Sequence, residues 1–317
     1  MGCQTNLDNT LHVVDKATVA TDVVTVTLAR PDGRRLPDWA PGAHVDLVLP
    51  NGLTRQYSLC GNRWDAHTYR VAVRREAAGR GGSAYVHDTL RVGDAVGVGG
   101  PRNNFPMSPS ERYVFIAGGI GITPIIPMIA QAEIVGADWR LLYLGRTCEK
   151  MPFLDMLEAH GDRVTAVASG THGRIDLAEH LGAVDDSTKV YACGPLTLLD
   201  ELTATTADWP VGKLRIERFS SIDPAPARTT PFELELARSQ KILTIPCDVT
   251  IVDALSSAGV GVLTSCREGV CGTCETSVLA GEPDHRDAVL EPHEREAGDC
   301  MLVCVSRSRS DRLTLDL

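Results

Sequence analysis

The chain has no run of basic residues, no second CxxC pair, and no charged segment leading into an apolar leader. Each absence excludes something. In its 317 residues, 31 Lys and Arg stand against 41 Asp and Glu, a net charge of −10. An acidic chain without a basic stripe is unsuited to nucleic acid or to an anionic membrane surface. Without a leader, a cytoplasmic protein with reduced thiols is expected, so the 10 cysteines are not a disulfide framework. Gly2 would suit myristoylation, but position 6 is Asn, where the motif needs Ser or Thr. One stretch, Tyr113 to Ala132, lacks charge altogether. Gly118, Gly119, Gly121, Pro124 and Pro127 punctuate it, so it reads as strand, glycine turn and helix, not as a membrane span.

What is present falls into three patterns. Over residues 1–107, short β-branched strands (Val23–Leu28, His44–Leu49, Thr54–Leu59, Thr68–Arg74, Ala95–Val98) alternate with Gly, Pro and Asn turns. This pattern predicts an antiparallel barrel or sandwich with one helix from Ser83. Residues 108–225 alternate strand and helix, which predicts a parallel sheet with covering helices. Ser220–Thr230 is rich in Pro and small residues and reads as a linker. Residues 231–317 return to β structure with a helix near Asp253–Ser257. This last module holds 8 basic and 15 acidic residues, so −7 of the −10 lies there. A solvated surface explains such an excess; so does a docking face for a partner.

The most specific motif is Cys266-x4-Cys271-x2-Cys274, followed at a distance by Cys304. It matches plant-type [2Fe–2S] spacing. Three thiolates come from one tight loop, where Gly269 and Gly272 let the backbone turn inward, and the fourth comes from a distant strand, Met301–Val305. Zinc is the competing reading, but zinc sites pair CxxC with CxxC. Cys300 is the rival for the fourth position.

Three further motifs suit phosphates and ring systems. In Arg55-Gln56-Tyr57-Ser58-Leu59, alternation places Arg55, Tyr57 and Leu59 on one strand face and Gln56 and Ser58 on the other. A guanidinium can grip a phosphate and an aromatic ring can stack on a flavin. Gly79-Arg80-Gly81-Gly82-Ser83 precedes a helix whose free amides favour an anion, although Ser83 is also a plain cap. Gly118-Gly119-Ile120-Gly121-Ile122-Thr123-Pro124 joins strand to helix but departs from the dinucleotide fingerprint, with Pro124 in place of its last glycine. Arg146 and Thr147 stand where that fingerprint's acidic residue would be. Cys193-Gly194-Pro195 ends a later strand at the same expected crevice.

Together these motifs resemble the ferredoxin–NADP⁺ reductase superfamily. With Ser265–Thr276 similar to the ligand loop of plant-type ferredoxins, the whole chain resembles the phthalate dioxygenase reductase family. The resemblance implies a multidomain chain: a flavin-binding antiparallel barrel, an NAD-binding α/β domain and a β-grasp ferredoxin domain. It implies FMN, NADH and a [2Fe–2S] cluster held by Cys266, Cys271, Cys274 and Cys304. Arg55, Gly82 and Ser83 would lie at the FMN phosphate, Tyr57 on the isoalloxazine, and Ser58 near N5. Gly119, Gly121 and Thr123 would line the pyrophosphate site, and Cys193 and Gly194 the nicotinamide. Phe219 would cover the flavin face, and Arg146 leaves a 2′-phosphate preference open. A hydride donor and a one-electron cluster need a flavin between them. The expected function is therefore electron delivery to a terminal oxygenase, first a Rieske non-haem iron enzyme. The chain has no pair of CxH motifs for a Rieske centre of its own. A cytochrome P450 acceptor and a redox-sensing regulator are the rivals.

Overall fold

In the first module most strands turn one row of β-branched or aliphatic residues inward. Six strands result: β1 (Thr10–Ala20), β2 (Val23–Ala29), β3 (His44–Val48), β4 (Thr54–Ser58), β5 (Thr68–Arg74) and β6 (Ala95–Arg102). The computed structural model describes residues 9–172, 175–182, 184–219 and 228–317. Gly2, Cys3, Asn6 and most of the expected linker lie outside the described residues. The strand order is β4-β3-β6-β1-β2-β5, all antiparallel. A bridge from Leu59 to Val71 and a backbone bond from Cys60 to Arg70 join the two ends, so the sheet closes. Val26, Leu28, Val45, Leu47, Leu59 and Val71 fill the barrel, and helix α1 (Gly82–Asp88) adds Val86.

The sequence patterns did not show β1. Its register slips between Val13 and Asp15 and again between Thr18 and Ala20. Two irregularities in eleven residues break the alternation that marks a strand.

The uncharged stretch becomes strand β7 (Arg112–Gly118), a 3₁₀ turn (Gly119–Gly121) and helix α2 (Ile122–Ile134). β8 (Asp138–Gly145), α3 (Leu154–Glu158), β9 (Val164–Ala168), α4 (Ser169–His172), α5 (Leu177–Leu181), β10 (Thr188–Cys193), α6 (Leu196–Thr205) and β11 (Leu214–Glu217) follow. The parallel order is β11-β10-β7-β8-β9. The chain therefore starts in the middle, winds one way to β9, then returns to build outward on the other side of β7. Apolar clusters cover both faces, as an all-parallel sheet requires. Among the described residues no helix is long and apolar enough to cross a membrane.

The backbone divides into two compact units, Met1–Glu217 and Arg218–Leu317. The first contains both the barrel and the parallel sheet. Phe105, on their connection, packs edge-on against Tyr191 of β10 at 5.5 Å, and Val23, Cys60 and Ala72 of the barrel meet Ile120 and Phe153.

The second unit is a mixed sheet with β12 (Phe232–Leu236) and β13 (Lys241–Ile245), crossed by α7 (Ile251–Ser257). Then come β14 (Glu275–Ala280), β15 (Pro283–Asp284), α8 (Pro292–Ala297), β16 (Cys300–Leu302), β17 (Arg307–Ser308) and β18 (Arg312–Leu315). The order β13-β12-β18-β14-β16, with β12 and β18 parallel and α7 packed on the core, is the β-grasp arrangement. Cys304 lies in a turn after β16, not on the strand expected over Met301–Val305. A turn lets its thiol face inward without obeying the strand's alternation.

Candidate functional site

β4 pairs with β3 so that Tyr57 opposes Val45 and Arg55 opposes Leu47. Tyr57 packs partly on the barrel core, and burial raises its phenol to about 12, which keeps the ring neutral. Ser58, on the other face, is 6% exposed. Arg55 donates from Nη1 to the Thr54 carbonyl at 2.8 Å and from Nη2 to the Arg80 carbonyl at 2.9 Å. This places its guanidinium beside the glycine loop. Gly82 makes the approach possible, because a Cβ there would stand 2.6 Å from Arg55 Cγ. Ser83 accepts the Glu76 amide at 3.0 Å and keeps its own hydroxyl proton available. Arg55 thus comes together with Gly82 and Ser83 from a distant part of the chain.

The second cluster sits where the parallel sheet reverses its winding, at the carboxyl ends of β7 and β10. Ligands of open α/β sheets bind at such a switch point. The two turns touch. A Cβ on Gly118 would meet Pro195 at 2.5 Å, one on Gly121 would meet the Cys193 carbonyl at 2.3 Å, and one on Gly194 would meet Gly118 at 3.0 Å. Gly119 needs glycine for another reason, a φ of +54°, and the space around it is open. Thr123 is buried and donates to the Ile120 carbonyl at 3.0 Å, so here its hydroxyl shapes the turn. Cys193 is wholly buried, its thiol 4.0 Å from Glu217 Oε2. Arg146 is exposed at the end of β8, beside β7. Phe219, just beyond the first unit, is 43% exposed.

The third cluster is confined to the second unit. Cys266, Cys271, Cys274 and Cys304 are all buried. Their thiols influence one another most strongly in two pairs, Cys266 with Cys271 and Cys274 with Cys304. Within the pairs, the partner thiol favours the thiolate at Cys271 and at Cys274. Arg267, Gly269 and Gly272 have φ of 56°, 70° and 73°, the backbone of a loop curled inward. The Glu268 amide donates to Cys266 Sγ at 3.3 Å and the Thr273 amide to Cys271 Sγ at 3.4 Å. Among the described residues no three His, Cys, Asp or Glu side chains gather as a site for a single ion. The two thiol pairs instead fit a [2Fe–2S] cluster, which these four cysteines would hold. Cys300, on β16, is half-buried and belongs to neither pair.

The motifs left two features unread. On the outer face of the barrel, His44, Asp46, Gln56 and Arg102 form a polar group beside Ser58. At the switch point, Glu217 is held protonated by burial, with its pKa raised to about 8. A histidine in an alternating strand and a glutamate at a strand end carry no spacing signal. Only cross-strand pairing reveals them.

Residues 234–309 match the 2Fe-2S iron-sulfur cluster binding domain family. Phenoxybenzoate dioxygenase subunit beta of Ectopseudomonas oleovorans is 43% identical over 300 residues, covering 94% of each chain. The solved structure of phthalate dioxygenase reductase, described as modular for electron transfer from pyridine nucleotides to [2Fe–2S], is 37% identical over 97% of each chain, with a TM-score of 0.71. An intact type IV self-sufficient cytochrome P450 monooxygenase matches 98% of this chain at 41% identity, with a TM-score of 0.89. The match covers 41% of that longer chain. With near-complete coverage by such relatives and its own cysteine module in place, the chain belongs to the phthalate dioxygenase reductase family of electron-transferring oxidoreductases.

Proposed function

We propose that the chain is an FMN- and [2Fe–2S]-containing NADH reductase that delivers electrons singly to a separate terminal oxygenase, a Rieske non-haem iron enzyme. The observation that carries this is the end-to-end similarity to oxygenase reductase subunits. A flavin held by these residues would supply the exchange between two-electron and one-electron chemistry that a hydride donor and a [2Fe–2S] cluster require.

The chain's own residues bind and orient. Arg55, Gly82 and Ser83 hold the FMN phosphate, Tyr57 packs on the ring, and Ser58 donates toward N5. Gly119, Gly121, Thr123, Cys193 and Gly194 shape the bed for the pyridine nucleotide, with Arg146 at its ribose end. Cys266, Cys271, Cys274 and Cys304 ligate the irons. The oxygen chemistry belongs to the partner.

Cofactor extraction and the visible spectrum test this directly. Flavin and [2Fe–2S] bands, FMN on denaturation and rapid NADH-driven cytochrome c reduction are expected. FAD, or slow reduction with NADH beside fast reduction with NADPH, overturns the corresponding part. Slow reduction by either nucleotide favours a regulator. A P450 acceptor is the second reading, supported by the 41% identity to the P450 fusion. Reconstitution with one acceptor of each class, comparing turnover, decides between them.

A further inference from the structure

His44 is a buried titratable residue that none of these roles uses. It lies in β3, in register with Ser58 of β4 on one side and Arg102 of β6 on the other. Cross-strand partners share a face, so Ser58, His44 and Arg102 form one row across three strands. A second row on the same face holds Gln56, Asp46 and Gly99.

Asp46, in the second row, is well supplied. Gln56 Nε2 donates to Asp46 Oδ1 at 2.9 Å, and Arg102 Nη2 reaches the same oxygen at 2.7 Å. Gly99 is needed beneath it, since a Cβ there would stand 3.1 Å from Asp46 Oδ2. The first row is different. His44 is 5% exposed, and its Nε2 is enclosed without a hydrogen-bond partner. Arg102 Nε is in the same condition. Buried polar atoms are rarely left so, and the missing partner then comes from water or from a ligand. The neighbour in the row is Ser58, the residue assigned to the flavin.

We propose that His44 is a further flavin-binding residue, whose Nε2 hydrogen-bonds the polar edge of the bound flavin beside Ser58. This rests on the assignment of Ser58 to the flavin. Burial, reinforced by the Arg102 charge and opposed by Asp46, holds the imidazole down to about 4. At neutral pH the ring is therefore uncharged and contributes a hydrogen bond without adding a cation beside the flavin. A purely structural His44 behaves differently. Replacing an orphaned buried polar group by an apolar one of similar size leaves the protein as stable or more stable, and leaves flavin affinity untouched.

The test uses the full-length protein, stripped of flavin and titrated with FMN, as wild type, His44→Leu and His44→Asn. Thermal unfolding of the flavin-free forms is measured alongside. His44→Leu should weaken FMN binding about tenfold, the scale of one lost hydrogen bond, without lowering the flavin-free melting temperature. His44→Asn should recover most of the affinity. Wild-type affinity in His44→Leu overturns the inference. So does a loss of affinity matched by a loss of flavin-free stability that Asn does not rescue. Failure of the underlying assignment looks different: the wild-type chain then takes up no FMN, and both fall together.

Discussion

The Cys193 thiol and the Glu217 carboxyl lie 4.0 Å apart at the adjoining ends of parallel strands β10 and β11. Burial raises both groups, Glu217 from 4.5 to about 8 and Cys193 well above the usual thiol range. At neutral pH the pair is uncharged. The linkage sign follows from the raised carboxyl. Below the unfolded value both states carry the proton and the full stability is present. As pH rises from 4.5 toward 8, the unfolded chain ionises first and stability falls, by a few kcal/mol at about 1.36 kcal/mol per pKa unit. Glu217→Gln should remove this slope. Melting temperatures of the two proteins between pH 5 and 8 check it, and parallel curves would exclude a protonated Glu217.

Two glycines of the nucleotide turn should both resist substitution, for different reasons and to different extents. Gly121→Ala places a methyl group 2.3 Å from the Cys193 carbonyl, a backbone atom that cannot step aside. It should cost roughly 1–3 kcal/mol or more and distort the crevice. Gly119→Ala meets open space but must hold a φ of +54°, worth about 1–2 kcal/mol. Chemical denaturation gives the stabilities and NADH titration gives the affinities. Gly121→Ala should lose more of both.

The choice of fourth ligand is checked by visible absorption. Cys304→Ser should lose most of the cluster's spectrum, because Cys274 then has no thiol partner. Cys300→Ser should keep the full spectrum, since Cys300 stands outside both thiol pairs. An intact spectrum in Cys304→Ser reverses the assignment.

Much of this was legible before any coordinates. Val23–Ala29, His44–Val48 and Thr68–Arg74 announce themselves because β-branched residues lie between turn residues. The parallel sheet is legible because Tyr113–Ala117 is apolar without alternation and ends in glycines. β1 was hidden by its two register slips, and β11 by having only four residues. The cysteine loop is legible because cluster geometry dictates sequence spacing. His44 and Glu217 were not, because their environments are made by other strands. A local pattern reports a residue's own backbone; it does not report what stands across from it.

The acidity of the second unit sets the last prediction. Between Pro231 and Leu317 there are 8 basic and 15 acidic residues, and Glu275, next to the proposed ligand Cys274, is exposed. A partner that docks near the cluster and carries positive charge is drawn in by this field. Salt shortens the reach of that field, with a Debye length of about 10 Å at 0.1 M and about 3 Å at 1 M. Stopped-flow reduction of the partner should therefore slow by about tenfold or more as salt rises, an effect on encounter rather than on chemistry. Ferricyanide supplies the internal control. It is an anion, the same field repels it, and salt should leave its reduction unchanged or speed it. Glu275→Lys should slow the partner reaction at low salt and flatten its salt slope. A salt-independent partner rate, or equal slowing of both acceptors, would show that charge does not guide docking.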